Sequence, residues 1–392
     1  MDNHYTFENT IPIAPLKIAA LESCTDLAKS VNQHIVNFRR NDTEALLKKN
    51  SSLEYRGYDC DSYLLDLKCS RFGTGEAKCR VNESVRGTDV YALVDVTNYS
   101  LSYTVCGHEH HMSPDDHFQD LKRLLGACAS TAHRLNVIMP FLYESRQHKR
   151  SKRESLDCAM GLEELVAMGV SNIVTFDAHD PRVQNSIPLH GFDNFLPPYH
   201  FVKALLAHDR TLKLDKEHLM VISPDEGAMN RSVYLANNLG VDMGMFYKRR
   251  DYSTVVNGKN PIVAHEFLGS SVEGKTLLII DDMISSGESM LDTARELKNR
   301  KAEKVIVCCT FGLFTEGFEK FDEFYENGYI DYVITTNLNY RRPELFTRPW
   351  YIEADLSKYL AAIINTMNHD VSLESILSPT EKIQKLVRQY NS

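Results

Sequence analysis

The sequence contains no run of about 18 consecutive apolar residues, the length that a membrane-crossing helix needs, so no spanning segment is expected. It has no excess of basic residues. Lys and Arg number 44 against 53 Asp and Glu, a net charge of −9. Contact with nucleic-acid phosphates requires the opposite balance or a basic stripe, so neither a nucleic acid nor a membrane is expected as a partner. No Cys-x-x-Cys pair occurs among the nine cysteines, an odd and scattered set that points to reduced, mostly buried thiols rather than a disulfide framework. No low-complexity tract is present. From Met1 to Ala20 no basic stretch precedes an apolar one, so no secretory leader is expected and the cytoplasm is the expected location.

What remains is the balance of an ordinary globular protein: 43% hydrophobic and 25% charged residues over 392 positions, enough for two or three domains. Apolar runs bounded by turn residues alternate with segments of helical period. Strands are expected at Lys17–Ala20, Asp89–Val96, Asn136–Phe141, Asn172–Phe176, His218–Ser223, Met243–Lys248, Thr276–Asp282, Lys304–Phe311 and Asp331–Thr335. Helical spacing appears at Phe118, Leu121, Leu125 and Cys128, at Met229, Val233 and Ala236, and at Met290, Leu291, Ala294 and Leu297. Strand–helix alternation implies α/β architecture with parallel sheets covered on both faces, and the number of strands implies two doubly wound domains. Strict alternation over Glu76–Asn82 marks a half-exposed antiparallel strand, a small flap. The polar segment Phe38–Asp61 reads as a surface insertion, and His108–His111, whose spacing matches no standard ligand set, as a loop without metal. Pro379–Tyr390 reads as an amphipathic helix whose partner face the sequence does not give.

Five segments carry chemistry. In Thr276–Ser289, a buried apolar strand ends in Asp281-Asp282. The small-residue turn Ser285-Ser286-Gly287 then leads into a helix, where backbone N–H groups and the positive dipole end suit a phosphate. The paired carboxylates suit a ribose diol or a hydrated Mg²⁺. Val221–Arg231 is again strand, turn and helix, with Asp225 in the turn. Phe246–Asp251 places Lys248, Arg249 and Arg250 at a strand end, and Val174–Asp180 places His179 between two acids. Ile138–Arg150 carries Arg146, Gln147 and His148 into a basic run that reads either as a solvated loop or as an anion site.

Taken in order, these segments resemble the ribose-phosphate pyrophosphokinase (phosphoribosyl pyrophosphate synthetase) family. The likeness extends to Arg71–Glu76 with Val81–Val90, to Gly191–Pro197 and to Asp370–Leu377. It implies two phosphoribosyltransferase-type domains, at 1–193 joined by 355–392 and at 194–354. It also implies transfer of pyrophosphate from MgATP to the anomeric hydroxyl of ribose 5-phosphate, with AMP released. By resemblance, Lys248 and Arg250 are the catalytic cations. Phe72, Thr74, Glu76, Arg146, Gln147 and His148 contact ATP, the flap residues reaching in from a neighbouring subunit. Asp281, Asp282, Ser285, Ser286, Gly287, Glu288 and Ser289 bind ribose 5-phosphate, while His179 and Asp225 contact the metal and the ATP phosphates. A dimer-based homo-oligomer, up to a hexamer, is implied as well.

Four positions depart from the family pattern. Thr74 stands for an acidic adenine contact, His148 for an aspartate beside a loop lengthened by Glu144-Ser145, Ser285 for the aspartate opening the phosphate loop, and Glu288 for a glycine within it. They keep two other readings open: a non-catalytic paralogue that regulates a true synthetase, and a phosphoribosyltransferase with another acceptor.

Overall fold

The computed structural model describes residues 10–48, 55, 57–250, 262–377 and 379–391; the side chains of 45–48, 248–250, 262–265, 375, 377 and 391 are outside that description. The chain divides into two units. Unit 1 comprises Met1–Leu196, Asn337–Tyr340 and Leu356–Leu377, and unit 2 comprises Pro197–Thr336, Arg341–Asp355 and Ser378–Ser392.

Unit 1 contains β1 (Leu16–Ala20), α1 (Thr25–Lys48), β2 (Leu67–Arg71), β3 (Ala77–Val81), β4 (Asp89–Leu93), β5 (Ser102–Val105) and β6 (His108–His111). It continues with α2 (Pro114–Cys128), β7 (Arg134–Ile138), α3 (Asp157–Ala167), β8 (Asn172–Phe176), β9 (Gly191–Phe195), α8 (Ser357–Asn368) and α9 (Glu374–Leu377). A sheet of order β1-β4-β7-β8-β9 has every neighbour parallel. All five residues of β4 are buried, as expected of a strand covered on both faces. Helix α2 starts cleanly. Pro114 occupies its first turn, and Ser113 and Asp116 exchange side-chain and backbone bonds in a capping box. The flap expected at Glu76–Asn82 is β3, paired antiparallel with β2.

Unit 2 contains α4 (Pro198–His208), β10 (Leu219–Ser223), α5 (Met229–Leu239), β11 (Asp242–Arg250), β12 (Ile262–Leu268), β13 (Thr276–Ile284), α6 (Glu288–Asn299) and β14 (Lys304–Gly312). It ends with α7 (Glu319–Glu326), β15 (Tyr332–Thr336), β16 (Tyr351–Ala354) and α10 (Thr380–Asn391). Its sheet runs β12-β11-β10-β13-β14-β15-β16, parallel except where β11 meets β12. No helix of the described residues is long and apolar enough to cross a membrane.

Three expectations change. Phe38–Asp61 is not simply a surface insertion, because α1 runs on to Lys48 and Arg39 is 1% exposed. Its guanidinium donates to Asn365 Oδ1 at 2.9 Å and Asn368 Oδ1 at 2.6 Å, and it lies over the rings of Tyr58 and Tyr63. A charge this deep is tolerated because it is hydrogen-bonded and stacked. The part of that segment at 49–54 and 56 lies outside the described residues. His108–His111 is not a loop but β6, one arm of a hairpin with β5. Its residues bond locally, His110 to Asp116 and His111 Nδ1 to the Tyr99 carbonyl. The C-terminal helix α10 packs on α4 and α5 of unit 2, so residues 378–392 go with unit 2 rather than with unit 1.

Candidate functional site

In unit 2 the chemistry gathers beyond the carboxyl ends of β10 and β13, the edge at which open α/β sheets take ligands. Strand β13 is apolar and buried through Leu277–Ile280, then turns polar at Asp281 and Asp282. Arg231, in the first turn of α5, reaches both carboxylates: Nη1 lies 3.4 Å from Asp281 Oδ1 and Nη2 3.9 Å from Asp282 Oδ2. The Asp282 N–H also donates to Asp281 Oδ1 at 2.9 Å. Burial holds the Asp281 carboxyl well above the usual range, the adjoining Asp282 adds to this, and Arg231 opposes it. Asp281 therefore retains a proton more readily than an exposed carboxyl does.

The turn after β13 brings the chain into α6 at Gly287, whose φ is +80°. A Cβ at this position would lie 2.3 Å from Cζ of Phe321, so the ring of α7 and the left-handed backbone both demand glycine. The first residue of α6 is Glu288, and it is exposed. The Lys320 ammonium is held above its ordinary range mainly by its hydrogen bond to Glu316, with a smaller contribution from Glu288. Asp292 contributes in the same direction, so the head of α6 lies within electrostatic reach of that ammonium. The sequence resemblance implies that this turn takes ribose 5-phosphate, and Glu288→Gly should then change the KM for it by less than about threefold, under about 0.7 kcal/mol. Steady-state kinetics checks this, and a tenfold drop in KM would mean that the glutamate obstructs the loop.

Asp225 opens the turn before α5. Its Oδ1 accepts from the N–H groups of Gly227 at 2.9 Å and Ala228 at 3.2 Å, which fixes the carboxylate. The backbone of Lys248 and Arg250 lies on β11 opposite His265 and Ile262, with the register shifting between Arg249 and Arg250. Their side chains fall outside the described residues.

In unit 1 the expected nucleotide residues occupy two places. Phe72, Thr74 and Glu76 form the tip of the β2–β3 hairpin. Phe72 is 51% exposed, and the Thr74 hydroxyl donates to Glu76 Oε2 at 3.0 Å. The β5–β6 hairpin braces this tip, since the Cys106 N–H donates to the Gly73 carbonyl at 2.8 Å. The second place lies beyond β7 and β8. Arg146 is exposed there, and Gln147 Nε2 donates to the Ser155 carbonyl at 2.8 Å. His148 Nε2 lies 3.5 Å from Asp180 Oδ2, and its ring centroid is 5.3 Å from that of His179. Unit 1 thus brings His148 and His179 together. The Asp180 carboxyl is held down to about 2, chiefly by its hydrogen bond from Arg182.

Comparison with known proteins matches two family models along the chain. A family model described as the N-terminal domain of ribose phosphate pyrophosphokinase matches residues 16–169, and a phosphoribosyl transferase domain model matches residues 202–326. Curated relatives named ribose-phosphate pyrophosphokinase include those of two bacteria. That of Thermotoga maritima is 27% identical over 279 residues, covering 70% of this chain and 79% of its own. That of Staphylococcus epidermidis is 28% identical over 275 residues, covering 69% and 77%. The chain belongs to the ribose-phosphate pyrophosphokinase family. A crystal structure of the phosphoribosylpyrophosphate synthetase of Mycobacterium smegmatis shares the fold, with a TM-score of 0.69 over 91% of this chain and 99% of that one, at 20% identity.

Within this member of the ribose-phosphate pyrophosphokinase family, sequence reasoning did not assign Arg231 or Asp180. Both stand inside the quoted segments. Arg231 could have been suspected as the one cation that the Asp225 turn carries into the start of α5. Its aspartate partners, however, lie 50 residues further along the chain.

Proposed function

We propose that this chain is a ribose-phosphate diphosphokinase. The anomeric hydroxyl oxygen of ribose 5-phosphate attacks the β-phosphorus of ATP and gives up its proton to solvent, the bond from that phosphorus to the α–β bridging oxygen breaks, and AMP leaves with the electron pair. The products are phosphoribosyl pyrophosphate and AMP. The observation that carries this reading is the Asp281–Asp282 pair held by Arg231 directly ahead of the Ser285–Gly287 turn. Carboxylates there can accept from two ribose hydroxyls, while the α6 N-terminus meets the 5-phosphate through Ser285, Ser286, Gly287, Glu288 and Ser289. Lys248 and Arg250 meet charge on the moving diphosphate as it develops. Phe72, Thr74, Glu76, Arg146, Gln147 and His148 hold the nucleotide, and a homo-oligomer completes the assembly.

The donor set fits magnesium. Among the described residues no group of three or more His, Cys, Asp and Glu could hold an ion by itself. Mg²⁺ commonly takes one or two carboxylates, with the rest of its ligands from phosphate and water. By resemblance, Asp225 of unit 2 and His179 of unit 1 would each contact it or the ATP phosphates, and when bound it would neutralise phosphate charge. The task left to Asp225 is orientation, which its two backbone hydrogen bonds provide.

The test is direct: incubate pure protein with ATP, Mg²⁺ and ribose 5-phosphate and follow AMP and phosphoribosyl pyrophosphate. Both products should form in equal amounts, vanish with chelator and return with Mg²⁺. Glu288 at the head of α6 favours one other reading, the non-catalytic paralogue. Protein that binds neither substrate but alters the turnover of an active synthetase would establish that reading instead.

A further inference from the structure

Cys69 and Cys79, which the proposed reaction does not use, stand directly opposite each other across β2 and β3. The hydrogen bonds at the two ends of the hairpin decide what kind of pair they form. At the tip the Phe72 N–H donates to the Glu76 carbonyl at 2.7 Å, and at the base the Asn82 N–H donates to the Asp66 carbonyl at 2.9 Å. Antiparallel pairs alternate between hydrogen-bonded and non-hydrogen-bonded. The hydrogen-bonded set therefore runs from Phe72 and Glu76 through Ser70 with Lys78 and Lys68 with Arg80 to Asp66 and Asn82. Cys69 with Cys79 falls in the other set. In such a pair the Cα atoms stand about 4.5 Å apart with side chains close together, within the roughly 4.4–6.8 Å that a disulfide spans.

Both cysteines are unpaired by any disulfide and half-buried, on the hairpin face that packs toward Cys128 and the core under α2. A hydrogen bond from the Cys69 thiol is the chief influence holding the Cys79 thiol below its ordinary range. Burial and Asp120 oppose it, and Arg123 assists. The attacking form of cysteine is the thiolate, which makes Cys79 the first nucleophile and Cys69 the resolving thiol.

We propose that Cys69 and Cys79 are a reversible thiol–disulfide pair, oxidised by low-molecular-weight disulfides of the glutathione type. The Cys79 thiolate attacks one sulfur of oxidised glutathione, forming a mixed disulfide and expelling one glutathione thiolate. The Cys69 thiolate then attacks the Cys79 sulfur, closing the Cys69–Cys79 bond and expelling the second glutathione. Two protein thiols are oxidised, one oxidised glutathione is reduced to two thiols, and the two protons released by the cysteines pass to the leaving thiolates. Half-exposed disulfides of this kind exchange readily. The closed bond joins the two strands that carry the Phe72–Glu76 tip. This chemistry stands or falls independently of the catalytic activity proposed above.

The experiment uses the full chain, reduced and then equilibrated with glutathione at graded oxidation. The samples are acid-quenched, alkylated, digested and read by mass spectrometry without reduction. A peptide pair joined through Cys69 and Cys79 should form, and dithiothreitol should abolish it. Its formation constant should exceed that of the urea-unfolded chain by at least about tenfold, about 1.4 kcal/mol. Cys69→Ser and Cys79→Ser should each remove the link, and Cys106→Ser should keep it. Separate glutathione adducts on the two residues, a Cys79–Cys128 link, or equal formation in folded and unfolded chain would each overturn the proposal. Because the unsubstituted protein supplies the main readout, a variant that failed to fold would not obscure the outcome.

Discussion

Lys248→Ala and Arg250→Ala should each lower kcat by about a hundredfold or more, with much smaller changes in KM for ATP and ribose 5-phosphate. Strand β10 ends at Ser223, two residues before Asp225, and its neighbour β11 continues past that point through Lys248 to Arg250. The cationic strand end and the Asp225 turn therefore share one edge of the unit 2 sheet. Cations fixed there meet charge that appears only as the diphosphate moves, so their loss falls on turnover rather than on ground-state binding. Removing one preorganised donor of this kind costs about 2.7–4 kcal/mol in other enzymes, a factor of about a hundred to a thousand. Steady-state kinetics of each variant measures the split between kcat and KM. Near-normal kcat in both would remove them from the chemistry.

The second large effect should come from Gly287→Ala. Two costs act together at this residue, a φ of +80° that an L side chain rarely adopts and a Cβ 2.3 Å from the Phe321 ring. Phe321 is fully buried in the unit 2 core among Phe314, Phe318 and Trp350, so the ring has nowhere to retreat. The loop must move instead, and with it the backbone N–H groups at the head of α6. We expect a loss of about 1–3 kcal/mol in stability, seen as a lower Tm, together with at least a tenfold rise in the KM for ribose 5-phosphate. Unchanged KM in a folded variant would show that the phosphate is held elsewhere.

The sheets were legible because strands buried on both faces read as continuous apolar runs bounded by turn residues. Leu277–Ile280 and Val305–Cys309 are examples. Helix α1 was not among the expected helices, and its part from Phe38 on was read as an insertion, because its stabilising partners, Asn365 and Asn368, lie more than three hundred positions away. Arg39 in the sequence is one more surface-type cation, and only the fold converts it to a buried donor. Strand β6 was missed for a different reason. Its four residues are all exposed, so no alternation between core and solvent marks it. The strand-end positions of Asp281 and Asp282 and the turn position of Asp225 were legible from strand-then-turn composition. Arg231 was not assigned, since pairing across β10 and β13 is what brings its helix against the aspartates.

The same distant contacts bear on how the chain is made. Arg39 donates to Asn365 and Asn368, Asn368 Nδ2 donates to Asp89 Oδ2 at 2.9 Å, and Asp89 also receives both arms of Arg134. As the polypeptide leaves the ribosome, Arg39, Asp89 and Arg134 emerge long before the helix that completes their network. Unit 1 must therefore wait, its first 196 residues exposed, while nearly all of unit 2 is translated. Unit 2 in turn lacks α10 until residues 380–391 have been made. Neither unit matches an uninterrupted stretch of the gene, so vectorial folding of one unit before the other is denied to this protein. A nascent chain stalled near residue 355 would hold a buried guanidinium without its amide partners and an open α1 face, the kind of intermediate that chaperones exist to shelter.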